Sequence, residues 1–390
     1  MIPTPLLLSL ALLSATAAFA TDMYLPVMPD IMAELGASQA EVQLTLSAFF
    51  VGMGFGQLFI GPLSDDIGRK RLLLTGAVGA LVASVMAAMA PSIGVLIAAR
   101  LLQGLGGGAC VVLARAIVPD LVAGRAAAKT YSLLMAIQGL APAVAPVIGG
   151  LLAEPVGWRG IFWALAALHL VQLVVAVVAV PETRASSGTA GLGRRVGRNY
   201  LAALSKPRVW GFMVSLCFGF AVLFSYISAS SFVIQEAFGF SPQMYSLIFA
   251  VNALGVFACS LLNVRMLNSV SAATMLRFGV GWSVLACTAL ITLVRIDVPV
   301  GWLLVALWFA VAPCSLLMGN SMALATGQLR EKAGSVSAVL GFVQFCFAGA
   351  ISPMMSIGSN AVVTMATSMV VCSCIAAVGA LLGTRGLENT

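Results

Sequence analysis

Apolar residues run through this chain in long unbroken stretches, not in the strict alternation of half-buried strands. Twelve stretches can be marked off, near residues 5–28, 42–63, 72–90, 92–118, 128–152, 160–181, 208–235, 242–264, 273–294, 300–326, 334–356 and 359–383. A helix needs about 20 apolar residues to cross a bilayer. The pattern therefore predicts an all-α integral membrane protein with twelve transmembrane helices, and it lacks the short alternating segments of a membrane β-barrel. The longest polar stretch, Glu182 to Lys206, is rich in Gly, Ser and Arg and falls between the sixth and seventh segments. It reads as a flexible linker. The chain then divides into a six-helix bundle 1–181, a cytoplasmic linker 182–207 and a second six-helix bundle 208–390. A faint repeat, A-K-T-Y-S-L-L-M-A-I-Q from Ala128 against A-G-S-V-S-A-V-L-G-F-V-Q from Ala333, points weakly to two related halves.

Composition agrees. Of 390 residues 61% are apolar and 8% charged, and mean hydropathy is +1.07, against about a quarter charged in an ordinary soluble domain. The 20 Lys and Arg exceed the 13 Asp and Glu, but they are scattered between apolar runs, which argues against a nucleic-acid face. They read instead as topology signals. With the N-terminus in the cytoplasm, 16 of the 20 fall in cytoplasmic connections or the C-terminal tail, and only Arg159 and Arg295 lie outside. Both termini are expected inside. Residues 6–20 end in Ala18-Phe19-Ala20, a signal-peptidase pattern, yet no basic n-region precedes them and the charge pattern needs this segment retained. The eight cysteines all lie within apolar runs without disulfide or zinc spacing, and read as packing residues.

Nucleotide-hydrolysing and common hydrolytic motifs are missing. The formal G-x-G-x-x-A at Gly104, Gly106 and Ala109, like Gly52-x-x-x-Gly56, reads as close helix packing. Asp22 is the most informative residue. The uninterrupted apolar run of the first segment covers only Leu6 to Thr21, so reaching bilayer length draws Asp22, Met23 and Tyr24 into the membrane. Burial favours the protonated form of a carboxyl, so Asp22 is a candidate to bind and release a proton. The blander reading, an interfacial acid at a helix end, draws support from Pro26 and Pro29; Asp30, Glu34 and Glu41 read as solvated outside-loop charges. Arg100 lies about 12 Å along the fourth segment at 1.5 Å per residue and needs a partner, for which Asp22 is the obvious candidate. Arg115, nearer the cytoplasm, is expected to snorkel or pair with Asp120. His169, the one histidine, reads as a packed hydrogen-bonding residue. In G-P-L-S-D-D-I-G-R-K-R, Gly61-Pro62 is expected to stop the second helix, Gly68 to make a tight turn and Asp65 to cap the next helix or face a neighbouring helix end. The stretch Gly139–Gly150, small residues around Pro142 and Pro146, suits either a gate or static packing.

Together these stretches resemble the major facilitator superfamily, and within it the twelve-helix drug:proton antiporters. Gly61–Arg71 looks like the superfamily's signature loop, Arg100-Leu101-Leu102-Gln103-Gly104 like its R-x-x-Q-G motif, and Gly139–Gly150 like the antiporter motif, with Ala141 and Ala145 where Gly is commoner. Thr21–Pro26, Gly157-Trp158-Arg159 and Pro181-Glu182-Thr183 look like the Bcr/CflA branch, which includes bicyclomycin and chloramphenicol exporters. The C-terminal half matches by helix count. The resemblance implies that Asp22 is the protonation site and Arg100 its electrostatic partner. It implies a cytoplasmic charge lock of Asp65, Arg69 and Asp120, and a cavity shaped by Pro142, Pro146, Gly149 and Gly150.

The expected function is proton-coupled efflux of small amphipathic antibiotics by alternating access in a bacterial inner membrane. No cofactor is expected beyond the proton gradient; the partners are drug, protons and lipid, and the superfamily's usual state implies a monomer. The drug pocket is expected to draw on Tyr24, Met135, Gln138, Phe224, Tyr226, Asn252 and Gln344. The rivals are a metabolite or amino-acid exporter, an intramembrane enzyme, for which no constellation of paired acids, metal ligands or nucleophile and base is present, and a non-transporting sensor, which ordinarily carries a soluble input domain.

Overall fold

The computed structural model describes residues 4–122, 124–183, 197–198, 200–201, 204–329, 332–358 and 360–386. Most of the expected linker lies outside the described residues. The chain divides into two units, Met1–Gly193 and Arg194–Thr390. The first holds α1 (Thr4–Asp22), α2 (Met28–Leu35), α3 (Gln39–Ile67), α4 (Arg69–Ala88), α5 (Ile93–Leu121) and α6 (Gly124–Ala179). The second holds α7 (Pro207–Ser231), α8 (Pro242–Met266), α9 (Ala272–Arg295), α10 (Val300–Val311), α11 (Cys314–Gly327), α12 (Ala333–Ile351) and α13 (Ala361–Thr384). Among the described residues eleven helical spans are long and apolar enough to cross a membrane. One of them, Leu133–Ala179, has 47 residues and covers two of the expected segments. Within it Gly157 adopts a non-helical φ of 63° and ψ of −176°, a left-handed conformation that favours glycine.

Two helix ends differ from the sequence reading. The first helix stops at Asp22 instead of running to residue 28, and a 3-10 turn, Leu25–Val27, leads into α2. Pro26 and Pro29 begin these successive pieces. Neither carries an N–H, so the carbonyls of Asp22 and Leu25 lose their i+4 donors and the helix breaks twice. Gly61-Pro62, by contrast, does not stop α3, which continues to Ile67 and ends at Gly68 (φ 108°). The bond missing there is the one from residue 62 to Leu58 O, and downstream of it the Ser64 hydroxyl donates to Gly61 O at 2.6 Å and Asp65 pairs with Arg69.

Neighbour relations recur in the two units. In the first, α5 packs against α1, α3 and α4, while α6 packs against α1 and α4. In the second, α7 and α9 each pack against α11 and α13. The contact chemistry differs where α3 meets α5 and α8 meets α11, although the second unit has a glycine seam of its own where α7 meets α13 at Gly211, Gly379 and Gly383. A Cβ at Gly52 or Gly104 would overlap the Leu101 or Phe49 carbonyl, and one at Gly56 or Gly108 would lie 2.6 Å from the Leu105 or Met53 carbonyl. On the other side of α5, a Cβ at Gly106 would lie 2.5 Å from Gly76 O. Helix α5 is thus seated backbone-to-backbone between α3 and α4, the close approach that small residues permit in lipid. In the second unit, α8 and α11 are joined by buried amides, with Asn320 Nδ2 donating to Asn263 Oδ1 at 3.0 Å and Asn263 Nδ2 returning a bond at 3.4 Å.

Candidate functional site

The break after Asp22 builds the centre of the first unit. It leaves Asp22 buried at the end of α1 and turns Tyr24 inward, fully buried. It also leaves carbonyls of the last helical turn without helical donors, and Arg100 Nη1, from α5, donates to one of them, Ala20 O, at 2.8 Å. The same nitrogen bonds Gln103 Oε1. Three rings enclose the guanidinium, with centroids 4.4 Å (Tyr24), 4.5 Å (Phe49) and 5.8 Å (Phe162) from Cζ. A desolvated cation over aromatic faces gains about 2 kcal/mol or more. The Tyr24 hydroxyl lies 3.1 Å from Thr45 Oγ1, whose own proton goes to Val42 O, so Tyr24 is the donor. The structure thus brings Arg100 to α1, but onto a backbone carbonyl and the rings; no ion pair joins it to Asp22 among the described residues.

The expected lock residues meet at the opposite end of the same helices. Arg69 Nη2 lies 2.8 Å from Asp65 Oδ1 and its Nε 3.1 Å from Asp120 Oδ2, with a further bond to Ser64. The cap of α4 is not Asp65. Glu182 accepts from the Arg69 and Lys70 amides at 2.8 Å and 3.1 Å, placing a carboxylate on a helix N-terminus, and Thr183 donates to Asp120 at 3.1 Å. Arg115 donates to Gln138 Oε1 at 2.7 Å, and Gln138 Nε2 donates to Ser14 O at 3.2 Å, so Gln138 bridges α5 and α1.

In α6, Gly149 accommodates the break in α1, since a Cβ there would overlap the Met23 carbonyl. Gly150 and Pro146 are buried and Pro142 half-buried, while Ala141 and Ala145 fit as buried small residues. Glu34 is about half exposed but does not lie on a loop. It sits in α2, accepts from the buried Trp158 indole at 2.6 Å and pairs with Arg159, which also donates to Ala90 O at 3.1 Å. Asp30 likewise lies in the first turn of α2, and Glu41 forms a capping box with Ser38 at the start of α3.

Of the residues expected in a drug pocket, Tyr24 belongs to the Arg100 cage, and Met135 is exposed on α6. In the second unit Phe224, Tyr226, Asn252 and Gln344 are all buried, and Tyr226 stacks on Phe249 with centroids 5.3 Å apart. A cavity of about 450 Å³ opens between α8 and α10, walled by Met244, Val251, Leu304 and Trp308, with Asn252 as its amide. Asn252 Nδ2 bonds Ile248 O at 2.9 Å, while its Oδ1 is buried without a partner. An apolar cavity with few polar groups suits a small amphipathic molecule.

Comparison with known proteins gives a consistent result. The family profile of the Major Facilitator Superfamily matches residues 10–353. An uncharacterized MFS-type transporter, YdgK of Bacillus subtilis (strain 168), is 33% identical over 357 residues, 91% of this chain and 89% of that protein. A bicyclomycin resistance protein homolog of Haemophilus influenzae is 33% identical over 341 residues, 87% of this chain and 85% of that protein. The multidrug resistance protein MdtL of Escherichia coli O9:H4 is 31% identical over 339 residues, 83% of this chain and 81% of that protein. Among solved structures, a D-xylose–proton symporter superposes with a TM-score of 0.73 at 15% identity, covering 97% of each chain. A bacterial homolog of the lysosomal transporter Spinster gives 0.74 at 16%, covering 98% of this chain and 97% of that one.

Proposed function

Since the chain belongs to the major facilitator superfamily and is an integral membrane protein, we propose that it exports small amphipathic antibiotics of the bicyclomycin and chloramphenicol kind in exchange for protons. The observation that carries this reading is the buried carboxyl of Asp22 at a helix break, next to a guanidinium whose hydrogen bonds go elsewhere. Such a carboxyl is free to change protonation without dismantling the arginine's anchorage. Ionised, it is drawn towards Arg100 by charge; protonated from the outside, it loses that attraction and drug is released. Deprotonation towards the cytoplasm resets the site. The open apolar groove beside Asn252 suits a mostly apolar drug.

The reading includes twelve crossings, with the 47-residue span counted twice about Gly157, because at 1.5 Å per residue it is about 70 Å long against a hydrocarbon core of about 30 Å. It also includes cytoplasmic termini in the inner membrane, a monomer, and Asp65, Arg69 and Asp120 as a lock in the transport cycle.

The test is chloramphenicol-driven proton movement in proteoliposomes under an imposed pH gradient. Collapse of the gradient on drug addition, lost in Asp22→Asn, is the expected outcome. A folded protein that answers to none of chloramphenicol, florfenicol and bicyclomycin removes the antibiotic assignment and leaves a metabolite or amino-acid exporter in its place.

A further inference from the structure

The Arg100 cage does not end at Gln103. Gln103 Oε1 accepts from Arg100, which turns its Nε2 to Ser84 Oγ on α4 at 2.7 Å. The Ser84 proton is spent on Ala80 O at 2.7 Å, so its oxygen can only accept from its other neighbours. One of these is Nδ1 of His169, on the part of α6 that follows Gly157, at 3.2 Å. The same Nδ1 lies 2.6 Å from Leu165 O, an acceptor only. Both contacts therefore require a proton on Nδ1. Every side chain in this series is at most 1% exposed, and His169 Nε2 is buried without a partner. The bond directions are thus fixed from end to end: Arg100 donates to Gln103, Gln103 to Ser84, and His169 to Ser84.

We propose that His169 is a positioning residue for Arg100: through Ser84 and Gln103 its imidazole fixes the guanidinium on the Ala20 carbonyl and ties α4 and α6 to the proton site. The 3.2 Å link is the longest of the series, so the ring acts by orienting the Ser84 oxygen more than by its own bond strength. An isolated histidine gives no such signal in the sequence, because the side chain it meets, Ser84, lies 85 positions away along the chain.

This inference rests on the proposed transport for its activity readout and has a second readout that does not. The chain contains one histidine, so the full-length protein labelled with 15N-histidine and purified by a histidine-free tag reports a single imidazole. A neutral ring protonated on Nδ1, whose signals move in Gln103→Leu, is expected. A proton on Nε2, or signals indifferent to Gln103→Leu, overturns the proposal whether or not any drug is transported. In proteoliposomes, Ser84→Ala and His169→Leu should each lower the maximal rate by up to about tenfold, the upper scale of one neutral hydrogen bond, with KM within about twofold. His169→Asn, whose amide nitrogen takes the place of Nδ1, should restore the rate to within about twofold. A His169→Leu protein as fast as the parent, or a folded His169→Asn protein as slow as His169→Leu, overturns it. If the parent itself moves none of the drugs, the transport reading fails and the imidazole signals alone decide.

Discussion

Arg100 keeps a positive charge inside the hydrophobic span by dividing its surroundings between a carbonyl, an amide and three rings. Of these, the rings are the part that Lys cannot use equally well, since the planar guanidinium stacks where an ammonium would sit as a point charge. Arg100→Lys should therefore keep the charge and still lose most drug-driven proton movement in the liposome assay. Elsewhere in the same unit, Glu34→Ala leaves the buried Trp158 indole without an acceptor, a loss of about 1–3 kcal/mol. Arg159→Ala should lower the melting temperature in detergent less, because its contact with Glu34 is half exposed. The Arg69, Asp65 and Asp120 cluster follows from the family resemblance and not from the residues alone, which offer Arg115 as the partner of Asp120. The roles of Glu34 and Glu182 were not readable from the chain, because their partners lie more than a hundred positions away and only the folded register shows that an acid has been claimed.

Helices were legible to within a few residues wherever the bilayer alone sets their length. Their interruptions were not, and proline shows why. Pro26 and Pro29 remove two donors three residues apart and break α1, whereas Pro62 removes one and α3 continues. The residue type is the same, and the number of lost bonds alone does not decide, since α6 runs on through Pro142 and Pro146 four residues apart. The glycine contacts of α5 make a prediction at this scale. Gly104→Ala places a methyl group against the Phe49 carbonyl and should destabilise the unit by about 1–3 kcal/mol. Gly79→Ala on α4 meets nothing within 4 Å and should be neutral or slightly stabilising, by up to about 1 kcal/mol. Thermal unfolding of the two purified variants side by side checks this.

For the molecule as a whole, the number of crossings is the quantity on which apolar length and chain geometry differ, at a single helical stretch. An alkaline phosphatase reporter, active only outside the cytoplasm, should be active when fused within residues 155–160 and silent within 186–192 or after the C-terminus. The 16 of 20 basic residues on one set of connections lead to this expectation. A reporter silent before Leu133 but active within 186–192 would mean that the 47-residue span crosses once, and would reduce the count to eleven. The internal repeat, barely visible between Ala128 and Ala333, is plainer in the neighbour relations, where α7 and α9 meet α11 and α13 much as α1 and α4 meet α5 and α6. Sequence similarity fades under substitution of apolar residues for one another, while the packing order that they serve does not.

The glycine seating of α5 also bears on how this protein can change over generations. A seam in which backbone touches backbone has no side chain to trade, so almost every substitution along it is a loss. The second unit, held at the matching place by one pair of amides and opening on a cavity beside Asn252, has side chains that can be exchanged one at a time. Bacteria selected on an unfamiliar compound should therefore acquire their gain-of-resistance changes in α8, α10 and α11 and not in α3 or α5. The seam of α3 and α5 would then be inherited nearly unaltered while α8, α10 and α11 set what is expelled.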